Sequence, residues 1–253
     1  MEQGKIHTFI EESIGWIKFY HPKSNSLPSV LLNEIARAIH LYDKDASVKV
    51  IAIASEGANV FCAGASFDEL LDIKNESEGK NFFSGFAKVI LSMKESSKFV
   101  VARIHGKAIG GGVGIAAAAD YSFALNTASV KLSELSIGVG PFVIGPAVQR
   151  RIGLTAFSEL AINATEWKSA QWAHQKGLYT SIYESEDLMD ADIKKLLSNL
   201  SSSSIEAMSK MKQMFWEGTD NWSDLLYERA SVSGALVLSI KTKEILSQFK
   251  KAN

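Results

Sequence analysis

The stretch VVARIHGKAIGGGVGIAAAA, residues 100–119, carries an apolar run of strand length into an alanine-rich run through a cluster of glycines. Valine and isoleucine are common in strands, and alanine is the best helix former. The stretch therefore predicts a strand over Phe99–Ile104, a glycine turn within Gly106–Gly114 and a helix that begins within Ile115–Ala119.

A second stretch repeats this arrangement earlier in the chain. The run VKVIAIA at Val48–Ala54 is almost continuously apolar, which predicts a strand buried on both faces. The segment FCAGASFDEL at Phe61–Leu70 then carries a glycine turn into a helix predicted at Asp68–Ile73. At the start of a helix, unpaired backbone N–H groups favour negative charge, and glycine or alanine lets a ligand oxygen approach them. Two such turns brought together would form an oxyanion hole.

Glycine turns that bind phosphates have a different spacing. A dinucleotide fingerprint that starts at Gly110 needs a glycine where Ile115 stands. A Walker loop needs serine or threonine where Ala108 follows Gly106 and Lys107. A purely structural role, in which the glycines only allow close packing of strand and helix, stays open at this point.

Strands and helices alternate through the first part of the chain, which indicates an α/β fold with crossover connections. Further strands and helices are predicted at Ile6–Glu11, Ile14–Phe19, Ser29–Leu41, Phe82–Met93, Tyr121–Leu125 and Val130–Leu132. From Ala156 the pattern is mostly helical, and the serine run Ser201–Ser204 marks the best internal boundary. We therefore predict an α/β body over residues 1–200 and a helical C-terminal region over residues 201–253.

The composition is that of an ordinary soluble protein. The 27 basic and 28 acidic residues leave a formal charge of −1, without the basic excess typical of nucleic-acid binders. No apolar run approaches the roughly 20 residues of a membrane helix, and no secretory signal is recognisable. The single cysteine, Cys62, excludes an internal disulfide and a multi-cysteine zinc site. We expect a cytoplasmic protein with no metal, no nucleic-acid partner and no membrane partner.

Five segments, in order along nearly the whole chain, resemble signatures of the crotonase (enoyl-CoA hydratase/isomerase) family. They are HPKSNSL at His21–Leu27, FCAGA at Phe61–Ala65, HGKAIGGG at His105–Gly112, SELSIG at Ser133–Gly138 and AQWAHQKGL at Ala170–Leu178. Two of the five are the glycine turns described above. In the second segment Ser66 follows where the family usually has aspartate.

The resemblance implies a spiral of ββα units with an α-helical C-terminal region, assembled as a homotrimer or as a hexamer of two trimers. It implies an acyl-CoA substrate and no cofactor beyond the coenzyme A that the substrate carries. The thioester oxygen would accept hydrogen bonds from the backbone N–H groups of Ala65 and Gly111, and Glu134 would transfer protons. Burial of a glutamate among apolar neighbours raises its pKa towards the range of a working acid or base.

One departure from the family pattern bears on the reaction. Hydratases of the family use two glutamates, and the first of them falls on Gly114 here. A single Glu134 suits a Δ3,Δ2-enoyl-CoA isomerase, which takes and returns one proton. The segment SELSIG with Pro141 and Pro146 downstream instead resembles hydratase branches, among them the methylglutaconyl-CoA type. We expect hydration of a 2-enoyl-CoA, with isomerisation as an alternative and a non-catalytic acyl-CoA-binding protein as an alternative of another class.

The resemblance also implies contacts with the rest of the substrate. Ala63 and Gly64 would lie along the pantetheine and adenine, and Gly110 is a further predicted contact. Phosphate groups would be reached by Lys23 and, from a neighbouring subunit, by Lys250 or Lys251. The acyl pocket would be lined in part by Phe67, Leu70, Phe83, Phe86, Pro141 and Phe142.

Overall fold

The computed structural model describes residues 4–252, and for residues 249–252 it gives the course of the backbone only. Within this range the strands are β1 (Lys5–Glu11), β2 (Ile14–Tyr20), β3 (Val50–Ser55), β4 (Val60–Cys62), β5 (Val100–Ile104), β6 (Lys107–Ile109), β7 (Tyr121–Leu125), β8 (Ser129–Lys131), β9 (Lys168–Ser169) and β10 (Ser181–Tyr183). The α-helices are α1 (Ser29–Lys44), α2 (Phe67–Asp72), α3 (Glu76–Glu95), α4 (Gly111–Ala118), α5 (Gly145–Ile162), α6 (Ala170–Gln175), α7 (Glu186–Ser201), α8 (Ile205–Phe215), α9 (Trp222–Leu236) and α10 (Ile240–Ala252). A short 3₁₀ helix spans Glu134–Ile137.

The larger sheet has six strands in the order β1-β2-β3-β5-β7-β10. β1 and β2 form an antiparallel hairpin through Glu12 and Ser13, whose φ angles of 50° and 65° give the tight turn that the sequence predicts there. Each following pair of neighbours is parallel, so the chain crosses over between them. Every residue of β3 is buried, as the apolar run Val48–Ala54 predicts.

Helices cover both faces of this sheet. On one face α1, α3 and α4 pack into the main core. On the other face α7 contributes Met189, Ile193 and Leu197 to a second cluster. The predicted α/β architecture is therefore confirmed. Among residues 4–252, no helix combines the length and the apolar character that a bilayer crossing requires.

A smaller sheet, in the order β4-β6-β8-β9, holds the two glycine turns side by side. β4 pairs with β6 and β6 with β8, all in parallel. The sequence does not predict β4, β6 or β9, because two or three residues show too little periodicity to be recognised as strands. Since β4 and β6 each lead directly into a glycine turn, their pairing sets the distance between the turns.

Two predicted helix starts are wrong because of glycine. α4 begins at Gly111 and not within Ile115–Ala119. Glycine is a poor helix former, but a side chain on the second glycine of α4 would collide with the end of β4, so the close packing requires it. α5 begins at Gly145 rather than at Ala156, and two helical pieces meet at Gly153, whose φ is +77°.

The start of α3 is also earlier than predicted. The apolar pattern predicts a helix over Phe82–Met93, whereas α3 begins at Glu76. Asn75 caps the helix by accepting a 2.9 Å hydrogen bond from the N–H of Glu78. The polar first turn of α3 is therefore stabilised by a cap and by acidic residues near the start of the helix. The spacing of apolar residues in the sequence gives no signal for such a turn.

The C-terminal helices pack back onto the body. α9 approaches α3 so closely that a Cβ on Gly79 would lie 2.7 Å from the Cα of Gly234. The Thr242 hydroxyl of α10 donates a 3.0 Å hydrogen bond to the carbonyl oxygen of Gly138, at the end of the 3₁₀ helix. The helical character of this region is confirmed, and a domain boundary at residue 200 stays a prediction.

Asn25 ties the loop after β2 to the connection between β3 and β4. It is buried with φ +53°, and its side-chain oxygen accepts a 2.8 Å hydrogen bond from the N–H of His21. Its amide nitrogen donates to the carbonyl oxygens of Glu56 and Val60 at 2.7 and 2.8 Å. One side chain thus satisfies three backbone groups that hold the first glycine turn in place.

We expect Asn25→Ala to lower the free energy of unfolding by about 3 kcal/mol, because it leaves these backbone groups unpaired and replaces asparagine, which tolerates a positive φ, with alanine, which rarely adopts one. Urea denaturation would measure the change. Asn33→Ala is the matched control, since Asn33 is exposed on α1 and only accepts a hydrogen bond from Lys88. An equal loss of unfolding free energy in both variants would contradict the role of Asn25.

Candidate active site

The first glycine turn runs from the end of β4 to the start of α2. Gly64 has a φ of +89°, which side-chain-bearing residues rarely adopt. A parallel bridge joins the turn to Leu27, whose N–H donates to the Gly64 carbonyl oxygen at 2.7 Å and whose carbonyl oxygen accepts from the Ser66 N–H at 3.1 Å. The N–H of Ala65, between these two residues, points the other way and donates no hydrogen bond to a described residue.

The second glycine turn joins β6 to α4. Gly110 has φ +52° and ψ −117°, and its N–H donates to the carbonyl oxygen of Lys131 at 2.9 Å. Gly111 is the first residue of α4, so its N–H has no partner within the helix, and none among the described residues. A Cβ built on Gly64 would lie 3.5 Å from the backbone nitrogen of Gly111. The two turns are therefore in contact, and Ala65 and Gly111, whose N–H groups have no partner among the described residues, line the same cavity.

Glu134 begins the 3₁₀ helix and faces the second turn. Its Oε1 would lie 2.9 Å from a Cβ on Gly110, so the carboxylate approaches the turn closely only because that residue is glycine. Its Oε2 is buried without a hydrogen-bond partner among the described residues. Burial raises the pKa of Glu134 to about 7. A pKa in this range suits a group that takes and returns a proton near neutral pH.

One cavity of about 480 Å³ contains both glycine turns and Glu134. Aside from the lysines, its walls include every residue that the sequence analysis predicts for catalysis or substrate contact: Ala63, Gly64, Ala65, Phe67, Leu70, Phe83, Phe86, Gly110, Gly111, Glu134, Pro141 and Phe142. Most of this lining is apolar. Such a cavity suits an acyl chain whose polar end meets the two turns.

Lys23, one of the predicted phosphate-binding lysines, is not among the residues that line the cavity. Lys23 forms an exposed ion pair with Asp68. The side chains of Lys250 and Lys251 lie outside the described residues. The phosphate contacts of all three stay predictions.

The position of the missing glutamate is filled by packing. A Cβ on Gly114 would lie 2.5 Å from Cγ2 of Ile144 and 3.6 Å from Cδ1 of Ile90. Ile144 itself lines the cavity. Among the described residues Glu134 is the only acidic side chain in the cavity wall, and a second carboxylate from α4 would require Ile144 to move.

Several residues of the wall are not predicted from the sequence, among them Phe82, Lys131, Ile144, Thr165 and Ser233. Phe82 lies four residues before Phe86 on α3, and this helical spacing is a signal that would have identified it. Ser233 comes from α9, far along the chain, and no local pattern indicates that it reaches this cavity.

Two other reactive side chains near the turns, those of Cys62 and Glu69, are placed where they do not take part in chemistry in the cavity. Burial raises the pKa of the Cys62 thiol to about 12, so this thiol does not form a thiolate nucleophile at neutral pH. Glu69 of α2 accepts hydrogen bonds from the N–H and the hydroxyl of Ser29, at 2.9 and 2.7 Å. It thereby pairs the first N–H of α1 and does not line the cavity.

Known proteins are similar to this chain over most of its length. The family model described as enoyl-CoA hydratase/isomerase matches residues 9–244. A probable enoyl-CoA hydratase of Bacillus subtilis (strain 168) is 25% identical over 212 residues, which are 83% of this chain and 81% of that protein. The mitochondrial methylglutaconyl-CoA hydratase of Rattus norvegicus is 31% identical over 174 residues, 68% of this chain and 55% of that protein.

Solved structures show the same fold. An enoyl-CoA hydratase from Bacillus halodurans superposes with a TM-score of 0.89 at 22% identity, covering 96% of this chain and 99% of that one. The similarity extends over the body and the C-terminal helices together, because both chains are covered almost completely. The spiral α/β architecture expected from the sequence is thereby confirmed.

The protonation of Glu134 predicts a pH-dependent stability. Its pKa rises from 4.5 in the unfolded chain to about 7 in the fold, so the stability it contributes is complete below pH 4.5 and is lost as the pH rises towards 7. Relative to the wild type, Glu134→Gln should therefore gain about 3 kcal/mol of unfolding free energy between pH 4.5 and 8. Urea denaturation across this range would measure the difference. A difference independent of pH would contradict the burial of the carboxyl group.

Proposed function

This chain belongs to the enoyl-CoA hydratase/isomerase family, and we propose that it is an enzyme that transfers a proton within an acyl-CoA thioester. Glu134 is its single acid–base group, and the N–H groups of Ala65 and Gly111 are its oxyanion donors. The observation that carries this proposal is a buried carboxyl group, with its pKa raised to about 7, in the same cavity as two backbone N–H groups that have no partner among the described residues.

The two N–H donors stabilise the negative charge that develops during the reaction. Removing a proton next to a thioester carbonyl places negative charge on the carbonyl oxygen. Fixed N–H groups that meet this charge need no reorganisation, and each contributes roughly 3–4 kcal/mol to the transition state. Because Gly64 and Gly111 bring the two turns into contact, both donors can reach one oxygen.

Isomerisation of a 3-enoyl-CoA to a 2-enoyl-CoA becomes the first candidate, ahead of the hydration expected from the sequence, because Glu134 is the only carboxyl group in the described cavity wall. The Glu134 carboxylate takes a proton from C2, and the electrons of the broken C–H bond form a dienolate whose oxygen lies between the donors. The protonated Glu134 then returns its proton to C4, and the double bond ends between C2 and C3. One carboxyl group performs both steps, which matches a cavity in which Ile144 packs against Gly114.

Hydration of a 2-enoyl-CoA is the second candidate, and the names of the relatives favour it. The proteins from Bacillus subtilis and Rattus norvegicus are both named as hydratases. In this reaction Glu134 would deprotonate a water that attacks C3 and would then protonate C2. The same carboxyl group and the same donors would serve, so the two candidates differ in whether a water is held at C3.

The other substrate contacts follow from the lining of the cavity. Ala63, Gly64 and Gly110 lie beside the donors, where the pantetheine would pass, and Phe67, Pro141 and Phe142 line the acyl region. Coenzyme A enters as part of the substrate, and no other cofactor is proposed. A homotrimer or hexamer and a cytoplasmic location stay predictions from the sequence.

Glu134→Gln should lower kcat for the conversion of 3-hexenoyl-CoA by about 10³-fold, because an amide cannot transfer the proton. The dissociation constant for crotonyl-CoA should change by less than about threefold, because the amide keeps the shape of the side chain. Turnover assays and titration calorimetry would measure the two effects. Glu206→Gln on α8, an exposed position, is the control and should retain full activity. Retained turnover in Glu134→Gln would contradict the proposal.

The reaction itself is determined by incubation in heavy-oxygen water, with products followed by mass spectrometry. We expect conversion of 3-hexenoyl-CoA to 2-hexenoyl-CoA without added oxygen. Heavy oxygen in a 3-hydroxyacyl product from crotonyl-CoA would establish the second candidate instead. Tight binding of acyl-CoA with no turnover of either thioester would contradict both and indicate a non-catalytic binding protein.

A further inference from the structure

Lys107, Lys131 and Trp167 lie on one face of the smaller sheet. In the parallel pair β6 and β8, Ile109 lies beside Lys131, and Lys107 is two residues before Ile109, so both lysines point to the same face. In the antiparallel pair β8 and β9, Val130 lies opposite Lys168. The register therefore places Trp167 opposite Lys131.

The two ammonium groups are held over the same indole ring. Nζ of Lys131 lies 4.6 Å and Nζ of Lys107 5.2 Å from the ring centroid of Trp167. The two charges are thus within about 10 Å of each other, a distance at which physiological salt does not fully screen their repulsion. The indole attracts each cation through its ring electrons, but it does not neutralise them.

No described carboxylate pairs with either lysine, including Glu166, which is adjacent to Trp167. The neighbouring Lys168 behaves differently, because it forms an ion pair with Glu159. Trp167 is 41% exposed, so the cluster is open to a ligand. It therefore presents two positive charges and an exposed aromatic surface without a counter-charge.

The cluster adjoins the cavity of the candidate active site. Lys131 and Thr165 both line this cavity, and Glu134 lies three residues after Lys131. Within the described lining Lys131 is the only cation. An acyl-CoA bound in the cavity would therefore pass the cluster on entering or would extend towards it.

We propose that Lys107, Lys131 and Trp167 form an anion-binding subsite that receives a phosphate or carboxylate group of the substrate remote from the reacting carbons. The inference rests on the proposed function, because it takes an acyl-CoA as the occupant of the cavity. A phosphate and a carboxylate would be recognised in the same way. Their oxygen atoms accept hydrogen bonds from the two ammonium groups, and their negative charge relieves the repulsion between the two lysines. The phosphates belong to the coenzyme A moiety, whereas a carboxylate would stand at the far end of the acyl group.

Binding measurements on the Glu134→Gln background separate these sources, since the ligand is then not consumed. The ligands are crotonyl-CoA, crotonyl-pantetheine, which lacks the phosphates, and glutaconyl-CoA, which adds a terminal carboxylate. The test variant is Lys107→Gln/Lys131→Gln, which keeps long polar side chains and removes both charges. Lys18→Gln is the matched control, because Lys18 also lies over aromatic rings, at 5.3 Å from that of Phe9 and 5.4 Å from that of Trp16, and has no carboxylate partner among the described residues.

We expect the double substitution to weaken at least one anionic ligand about tenfold, with the effect fading as salt is raised. Weaker binding of crotonyl-CoA with unchanged binding of crotonyl-pantetheine would identify a phosphate as the ligand. Weaker binding of glutaconyl-CoA alone would identify the terminal carboxylate. If the double variant binds all three ligands as the control does, the subsite is overturned while the proposed function stands. If no ligand binds even with both lysines present, the proposed function fails and the subsite fails with it.

Discussion

The contact between two backbone turns is the constraint on which the site depends. The turn after β4 and the turn after β6 lie so close that a Cβ on Gly112 would be 2.6 Å from the carbonyl oxygen of Cys62. A Cβ on Gly111 would meet the ring of Phe86 at 2.2 Å. A side chain at Gly112 would push the turns apart, and one at Gly111 would displace Phe86 of α3. Either change would disturb the arrangement of the two N–H groups on which the proposed function depends. The glycines lower the helix propensity of α4, and the packing against β4 and α3 offsets that loss.

The position of the Glu134 carboxyl group also depends on a close approach to the second glycine turn. Glu134 can approach the second turn because Gly110 has no side chain, and the 3₁₀ helix that carries it is held by the hydrogen bond from Thr242 to Gly138. An unpartnered buried carboxyl oxygen costs stability, which a structural residue would avoid through a hydrogen bond. Under the proposed function this cost has a reason, because a carboxyl group that exchanges protons with a substrate works best with a raised pKa.

The sequence predicts those parts of the fold whose signal is local. The buried strand β3, the hairpin turn at Glu12 and Ser13, and both glycine turns follow from apolar runs and from turn-forming residues. The short strands β4 and β6 and the early start of α4 do not, because pairing between distant segments overrides weak local preference. In the candidate site the family pattern predicts Glu134 and the turn residues, and the fold places them in the wall of one cavity. The packing of Ile144 against Gly114 joins α4 to the loop before α5, and nothing in either segment alone reveals it.

The most direct measurement is a crystal structure of Glu134→Gln with crotonyl-CoA bound. We expect the thioester oxygen to lie about 3 Å from the backbone nitrogens of both Ala65 and Gly111. We also expect the substituted side chain at residue 134 to face C2 of the acyl group. A thioester oxygen away from either nitrogen, or an acyl group bound outside the cavity, would contradict the claim that these two turns form an oxyanion hole.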